Sequence, residues 1–348
     1  MHSIAVAGHL CLDIAPRLRE TPDVTPGHLS EVGPLAITLG GSVANTGGAL
    51  ADLGAEVTPF ASVGQDELGS ILAAQLNARG FSEPQLCASP VATTSYSLVI
   101  EKPGADRAFW HHTGANDQFD GTNVFLDGHG LLHVGYPPLL PRMLNEGGRP
   151  LYDLLSRARA AHVTSSLDLA VVDPRSAVGA LDWSGILGLA LSETDIATPS
   201  LDDLTSALQI EEPYSPALVD RLADRMLADG AAVVAISAGH HGLLVKTASA
   251  ARLREGGAVL APHAETWSDR TLHVQSRRVV NPVTTNGAGD ASTAGLLFAL
   301  ARGATLEQAA SLATACSAVV MSGIRPTPST ILSLDSTLAP LFTPGAAA

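Results

Sequence analysis

The amino-acid sequence predicts an α/β protein: a three-layer sandwich with a mostly parallel central sheet, helices on both faces and a small β-sheet lid. Three observations carry this. Short apolar, β-branched runs of strand length recur along the 348 residues. Segments with helical spacing lie between several of them, and alternating β and α units build a parallel sheet covered on both faces. Two insertions rich in turn residues break the alternation, each just after a candidate sheet strand.

Taken in order, Ser3–Ala7 reads as the first strand. Ser42–Leu53 is small and apolar with helical spacing, and it stops at Gly54. Glu56–Val63 reads as strand and Glu67–Gly80 as helix. Leu131–Val134, Val163–Leu167, Gly185–Leu191 and Ala232–Ser237 are apolar runs of strand length, with helices at Leu151–Ala161 and Pro216–Ala228. Ile14–Leu39 is rich in Pro, Gly and Thr and has no helical period. Thr93–His112 reads as a hairpin: Ser95–Glu101, a turn at Lys102–Asp106, then Arg107–His112. In open α/β sheets the carboxyl ends of the strands face the ligand, so these insertions are expected to form a flap over a site. The division that follows is a large domain of 1–13, 39–92 and 113–348, and a lid of 14–38 and 93–112. The terminal PGAAA reads as frayed.

Hydrophobic residues make up 46% of the chain, enough for a large core, while the net charge is −14. That balance argues against nucleic acid or an anionic membrane as partner, because phosphate backbones need clustered Lys and Arg. Lys102 and Lys246 are the only lysines. Cys11, Cys87 and Cys316 are odd in number and far apart; they read as buried small hydrophobes in a reducing cytoplasm. The opening MHSIAVAGHLCLDI has no basic leader and is interrupted by Asp13, so it reads as a strand, not a signal peptide. No apolar run is long enough to span a bilayer.

The chemistry concentrates in Asn286-Gly287-Ala288-Gly289-Asp290, which opens a small, apolar helix. The first turn of a helix leaves amides unpaired, and the helix dipole adds positive charge there. Glycines let an anion come close, so the backbone itself forms a phosphate pocket in a chain almost without lysine. An acid beside that pocket repels phosphate unless it has a second task, such as taking a proton from an attacking hydroxyl. The N-terminal half adds Gly8–Asp13 leaving the first strand, Gly40–Gly48 before a helix and Gly64–Gly69 after a strand. Asp13 can hold sugar hydroxyls through two oxygens, and Asn45 both donates and accepts. The pairs His111-His112 and His240-His241 do not read as a metal site: strand neighbours point to opposite faces, and no carboxylate or Cys lies at ligand spacing. His111 or His112 is expected at the acceptor rim, with His9 ranked behind them. The absence of GxGxxG after the first strand, of GxxxxGK[ST] and of GxSxG counts against a dehydrogenase, a P-loop NTPase and an α/β hydrolase.

These blocks, in order and through nearly the whole chain, resemble the ribokinase-type (PfkB) family of carbohydrate and nucleoside kinases. Gly40–Asn45 is similar to its GG-x-x-x-N block, Gly64–Gly69 to G-x-D-x-x-G and Gly114-Ala115-Asn116 to its GAN element. Ser237–Gly242 resembles the T-x-G-x-x-G nucleotide loop, and Gly287–Asp290 the GAGD signature. The resemblance implies a ribokinase-like fold and transfer of the γ-phosphate of MgATP to a hydroxymethyl group of a sugar. It makes Asp290 the base and the amides of Gly287, Ala288 and Gly289 the anion hole. Asp13, Gly40, Gly41, Asn45, His112 and Asn116 would hold the acceptor. Ser192, Ser237, Gly239, Gly242, Thr285, Asn286 and Thr314 would hold the nucleotide. It further implies a cytoplasmic homodimer paired through the lid.

Three positions depart from the family pattern. Thr284 stands where the family has an Asp associated with a monovalent cation, so dependence on K+ does not carry over. The N-x-x-E element that organises Mg2+ reads as Ser192-Glu193-Thr194-Asp195, with Asp195 or Glu193 reaching the metal through water. Thr314 replaces an Asn on the adenine side. A neutral polyol is the first choice of acceptor. A nucleoside stacked on Phe109 and Trp110 comes second, against ordinary lid packing of those rings. Arg17, Arg19 and Arg107 keep a phosphorylated sugar open. A catalytically weak sugar- or nucleotide-binding protein on the same fold is the competing class.

Overall fold

A computed structural model describes residues 2–20, 22–81, 84–101 and 108–343. The strands are β1 Ser3–Gly8, β2 Cys11–Pro16, β3 Leu35–Gly40, β4 Val57–Gly64, β5 Gln85–Ser89, β6 Tyr96–Ile100, β7 Ala108–His112, β8 His129–Gly135, β9 Thr164–Leu167, β10 Ile196–Ala197, β11 Val233–Ser237, β12 Leu243–Thr247 and β13 Thr271–Val274. The α-helices are α1 Ser42–Leu53, α2 Glu67–Ala78, α3 Asn145–Ala160, α4 Trp183–Leu191, α5 Leu201–Ala207, α6 Pro216–Ala228, α7 Ala250–Arg254, α8 Gly257–Leu260, α9 Ala264–Trp267, α10 Ala288–Ala301, α11 Leu306–Met321 and α12 Pro328–Leu334.

Nine strands form one sheet in the order β13-β12-β11-β10-β9-β8-β1-β4-β5. From β5 to β11 all pairings are parallel, and β12 and β13 close one edge antiparallel. Successive strand residues alternate between faces, and the cores record it. Ile4 and Val6 of β1, Val233 and Ala235 of β11 and Val245 of β12 belong to the core shared with α1, α10 and α11. Ala5 and Ala7 turn to the other face, with Leu132, Val134 and helix α3. Val234, Ile236 and Leu244 join α4, α5 and α6 on that face. The result is the three-layer sandwich, its central strands apolar on both sides as a parallel sheet requires. Helices α10 and α11 approach closely at Gly295, where a Cβ would lie 2.9 Å from the Ala313 Cα.

A second sheet stands apart, four strands in the order β3-β2-β6-β7. It is built from the two insertions that broke the alternation, and it is slightly wider than the sequence reading, running from Cys11 and ending at Gly40. The hairpin turn at Lys102–Asp106 and the terminal PGAAA lie outside the described residues. One element is of the other type. Gly185–Leu191 is not a strand but most of α4, opened by Asp182, whose carboxylate accepts from Gly185 N. Short apolar runs look alike in both states when every face is covered. The strand at that point of the sheet is the two-residue β10. Cys87 is exposed, unlike the buried Cys11 and Cys316. No helix among the described residues is long and apolar enough to cross a membrane.

Candidate active site

The sheet's parallel strands deliver their ends to one edge. Gly8 leaves β1, Tyr136 follows β8, Asp168 follows β9, Thr198 follows β10 and Ser237 closes β11. Facing this edge, α10 begins after Gly287, whose φ of 73° is left-handed and whose position carries no side-chain cap. A Cβ at Gly289 would meet nothing within 4 Å. Space is therefore open beside Gly289, while Ala288 N already donates to Thr285 O at 3.3 Å; the first turn of a helix is where amides left unpaired can receive an anion.

Asp290 sits on that first turn and is buried. Its Oδ1 accepts from Tyr136 Oη at 2.5 Å and from Thr46 Oγ1 at 2.7 Å. Asn45 also hydrogen-bonds the carboxylate. Burial outweighs these donors and pushes the carboxyl up to about 6. Burial and the neighbouring Asp290 hold the Tyr136 phenol well above its ordinary value. Asp290 is thus ionised at neutral pH, yet holds a proton more tightly than an exposed carboxylate does.

Two more acids share its field. Asp168 is raised well above the ordinary carboxylate range by burial and by Asp203 and Asp290. Asp203 is raised by burial and forms a reciprocal cap with Ser200 at the start of α5. No ion pair holds any of the three among the described residues. Beside Gly289 and Thr293, the Thr198 hydroxyl is buried without a hydrogen-bond partner among the described residues. Facing carboxylates plus an orphaned hydroxyl suit a hard divalent cation that keeps part of its water shell.

The other side of the candidate site is assembled by the turn from β1 into β2, the loop before α1 and the second sheet. Asp13 is nearly buried; Asn286 Nδ2 donates to its Oδ2 at 3.5 Å. A Cβ at Gly40 would lie 2.5 Å from Asp13 Oδ1, and one at Gly41 would lie 2.6 Å from His9 Nδ1. Glycine at both positions lets this loop pass over the pocket. His9 is buried, its ring against His111 and Tyr136. Burial lowers both histidines, His111 to about 4, so both rings are neutral near pH 7.

A family model for pfkB family carbohydrate kinases matches residues 1–330. The chain belongs to that family. Three solved structures illustrate the shared fold. Arabidopsis thaliana ribokinase complexed with ribose and ATP superposes with a TM-score of 0.72 at 16% identity, covering 96% of this chain and 98% of that one. Escherichia coli phosphofructokinase-2, in a tetrameric inhibited form, gives 0.71 at 19%, covering 97% and 100%. Burkholderia thailandensis nucleoside kinase in complex with inosine gives 0.68 at 17%, covering 97% and 98%. The chain is a pfkB-type member of the ribokinase fold.

Within this pfkB chain the residues singled out by sequence divide. Asp290 and Asn45 are hydrogen-bonded, a Cβ at Gly287 would lie 3.8 Å from Asn45 Cγ, Asn286 reaches Asp13, and Gly40 and Gly41 pack on Asp13 and His9. The Thr285–Asp290 turn with Gly287, Ala288 and Gly289 therefore lies against the Asp13 and Gly40–Asn45 segments. Ser237, Gly239 and Gly242 form the turn from β11 into β12, and Thr314 lies on α11 beside Arg277, whose Nε donates to its hydroxyl at 3.5 Å. Asn116 is near the cleft but occupied: its Nδ2 donates to Leu10 O at 3.0 Å and its Oδ1 accepts from Leu10 N at 3.4 Å. It clamps the β1–β2 turn.

Four assignments are corrected. His112 is exposed and bonds Thr93 Oγ1 at 2.8 Å, while His111 points to the pocket, as alternation along β7 requires. Ser192, Glu193 and Asp195 precede β10 and so lie at the opposite edge of the sheet from Asp290. Ser192 Oγ donates to Leu189 O, Glu193 pairs with Arg159 at 3.0 Å, and buried Asp195 pairs with Arg252 at 3.0 Å. The same S-x-x-D spacing recurs at Ser200-Leu201-Asp202-Asp203, after β10 and at the correct edge. Sequence reasoning missed Thr46, Tyr136, Asp168 and Asp203. Tyr136 and Asp168 carried a readable signal, as each is the first residue beyond an apolar strand run.

Proposed function

We propose that this protein is an ATP-dependent phosphotransferase that phosphorylates a hydroxymethyl group of a neutral polyol sugar, with Asp290 as general base. The observation that carries the reading is one buried carboxylate on the first turn of α10, beside the open space at Gly289 and braced by Tyr136, Thr46 and Asn45. Bound MgATP supplies the phosphoryl group. Gly287 and Gly289 would present amides to the charge that spreads during transfer, and Ala288 N would do so on leaving Thr285 O. Asp168 and Asp203 would hold Mg2+ through its water shell. Asp13 and the Gly40-Gly41 loop orient the acceptor, and Asp290 accepts the proton of the attacking hydroxyl. The second sheet, whose β2 carries Asp13 and whose β7 carries His111, excludes water when the acceptor is bound. Asp13, Asn45 and Thr46 offer the polar atoms that polyol hydroxyls need, while the His9, His111 and Tyr136 rings are occupied with one another.

The test is ADP release over a panel of pentoses, hexoses, polyols and nucleosides, with and without K+. Wild type turns over at least one sugar. Asp290→Asn loses on the order of 10²–10⁴ of turnover with little change in sugar affinity. Turnover that survives the substitution removes Asp290 from the role of base.

A further inference from the structure

One further group of ligand-type side chains is brought together by the fold among the described residues: His9, Cys11 and His111, with ligand atoms within 4.8 Å of one another. His9 follows β1, Cys11 opens β2 and His111 comes from β7, so three separate segments supply them. No cysteine lies at ligand spacing from His111 along the sequence; Cys11 is brought to it by β2.

We propose that His9, Cys11 and His111 form a binding site for a soft divalent transition metal of the Zn2+ type, with a fourth position open to the acceptor pocket. The Nε2 atoms of His9 and His111 are 3.3 Å apart. Two imidazole nitrogens on a tetrahedral zinc, each at ~2.0–2.1 Å, are separated by about 3.3 Å, so both rings are already placed to ligate. His111 Nδ1 lies 3.0 Å from Ser97 Oγ. Donation from Nδ1 to that hydroxyl leaves the Nε2 lone pair facing His9, the outer hydrogen bond that orients a metal-bound histidine. His9 is 2% exposed and its Nδ1 is buried without a hydrogen-bond partner, so no other contact commits that ring. The Cys11 thiol has only long contacts, Asp13 Oδ1 at 3.7 Å and Ser97 Oγ at 3.9 Å. A Zn–S bond of about 2.3 Å places sulfur about 3.6 Å from each nitrogen. The three ligand atoms lie within 4.8 Å of one another, so closing the sulfur onto the two nitrogens takes a movement on the order of 1 Å.

Binding exchanges the S–H bond for a sulfur–metal bond and releases one proton to water, with no change of oxidation state. The His9 ring lies under the Gly41 loop and 5.9 Å, centroid to centroid, from the Tyr136 ring that braces Asp290. A metal there therefore competes with the acceptor. This last consequence rests on the kinase reading; the site itself does not.

Co2+ alone, added to the full-length protein without nucleotide or sugar, is the probe. One equivalent is expected to produce near-ultraviolet thiolate-to-Co2+ absorption. The band is lost in Cys11→Ser, is at least tenfold weaker in apparent affinity in His111→Asn, and persists in Cys87→Ser, whose thiol is exposed and elsewhere. Thermal unfolding checks that each variant is folded. Zn2+ displaces Co2+ and raises the acceptor KM at least tenfold while leaving the ATP KM unchanged. Absence of the band in wild type, or its survival in Cys11→Ser, overturns the site. A protein that forms the band but phosphorylates nothing keeps the site and removes the kinase reading; an active kinase without the band does the reverse.

Discussion

Two S-x-x-D tetrads flank the two-residue strand β10, and they lead opposite lives. Before the strand, Asp195 is buried and tied to Arg252, with Ser165 N and Oγ also donating to it. After the strand, Asp203 is buried among Asp168 and Asp290 with no cation near. A parallel sheet has a structural edge and a ligand edge, and strand polarity decides which a side chain meets. Acids at the structural edge are paired. Acids at the other edge have neutral hydrogen-bond donors but no ion-pair partner among the described residues, and they raise one another's affinity for a proton.

The largest effect expected from that contrast is at the structural edge. Asp195→Ala leaves Arg252 buried without its partner and should cost about 3–5 kcal/mol of stability in denaturant unfolding. A loss under 1 kcal/mol would mean that the pair is idle. At the ligand edge the sign reverses. Asp290 has its folded pKa raised from 3.8 to about 6, so its proton stabilises the fold fully below about pH 3.8 and that contribution is lost as pH rises through 6. Ionised Asp290 then costs about 3 kcal/mol. Asp290→Asn should therefore stabilise the protein at pH 7.5 by up to that amount, with the gain fading between pH 6 and pH 4. A pH-independent change in stability would break the contrast.

Smaller effects sharpen it. Asp203→Asn keeps the shape of the α5 cap but removes a charge, and should lower turnover on the order of 10–100-fold with partial rescue by raised Mg2+. Unchanged activity would remove Asp203 from the proposed Mg2+ site. The smallest expected change is in Tyr136→Phe. Losing the 2.5 Å donor raises the Asp290 pKa further, so the acid limb of kcat/KM, near pH 6 in wild type, should move up by about one unit. A limb that stays in place would leave Tyr136 as packing alone.

Much of the fold was legible because its signals are local. Ser42–Leu53 and Pro216–Ala228 match α1 and α6 residue for residue, the latter opened by Ser215, whose side chain accepts from Leu218 N. The Gly287–Asp290 turn was legible for the same reason, since a helix start, its glycines and its acid are neighbours in sequence. Gly185–Leu191 was misread because an apolar run seven residues long carries no polar residue to reveal its period, even though Gly185 is exposed in the helix. His111 and His112 were confused because a strand's phase is set by its partners, here β6 and the ring of His9.

By itself, then, the sequence determined the α/β alternation, the insertions that become the second sheet and the glycine-rich helix start with its acid, because each depends on torsions and periodicity within a few residues. The tertiary structure alone decided which edge of the sheet Asp195 and Asp203 occupy, that Tyr136 and Thr46 brace Asp290, and that His9, Cys11 and His111 meet. Those contacts join residues up to 244 positions apart, and no local preference of the chain encodes a distance that only the packed sheet creates.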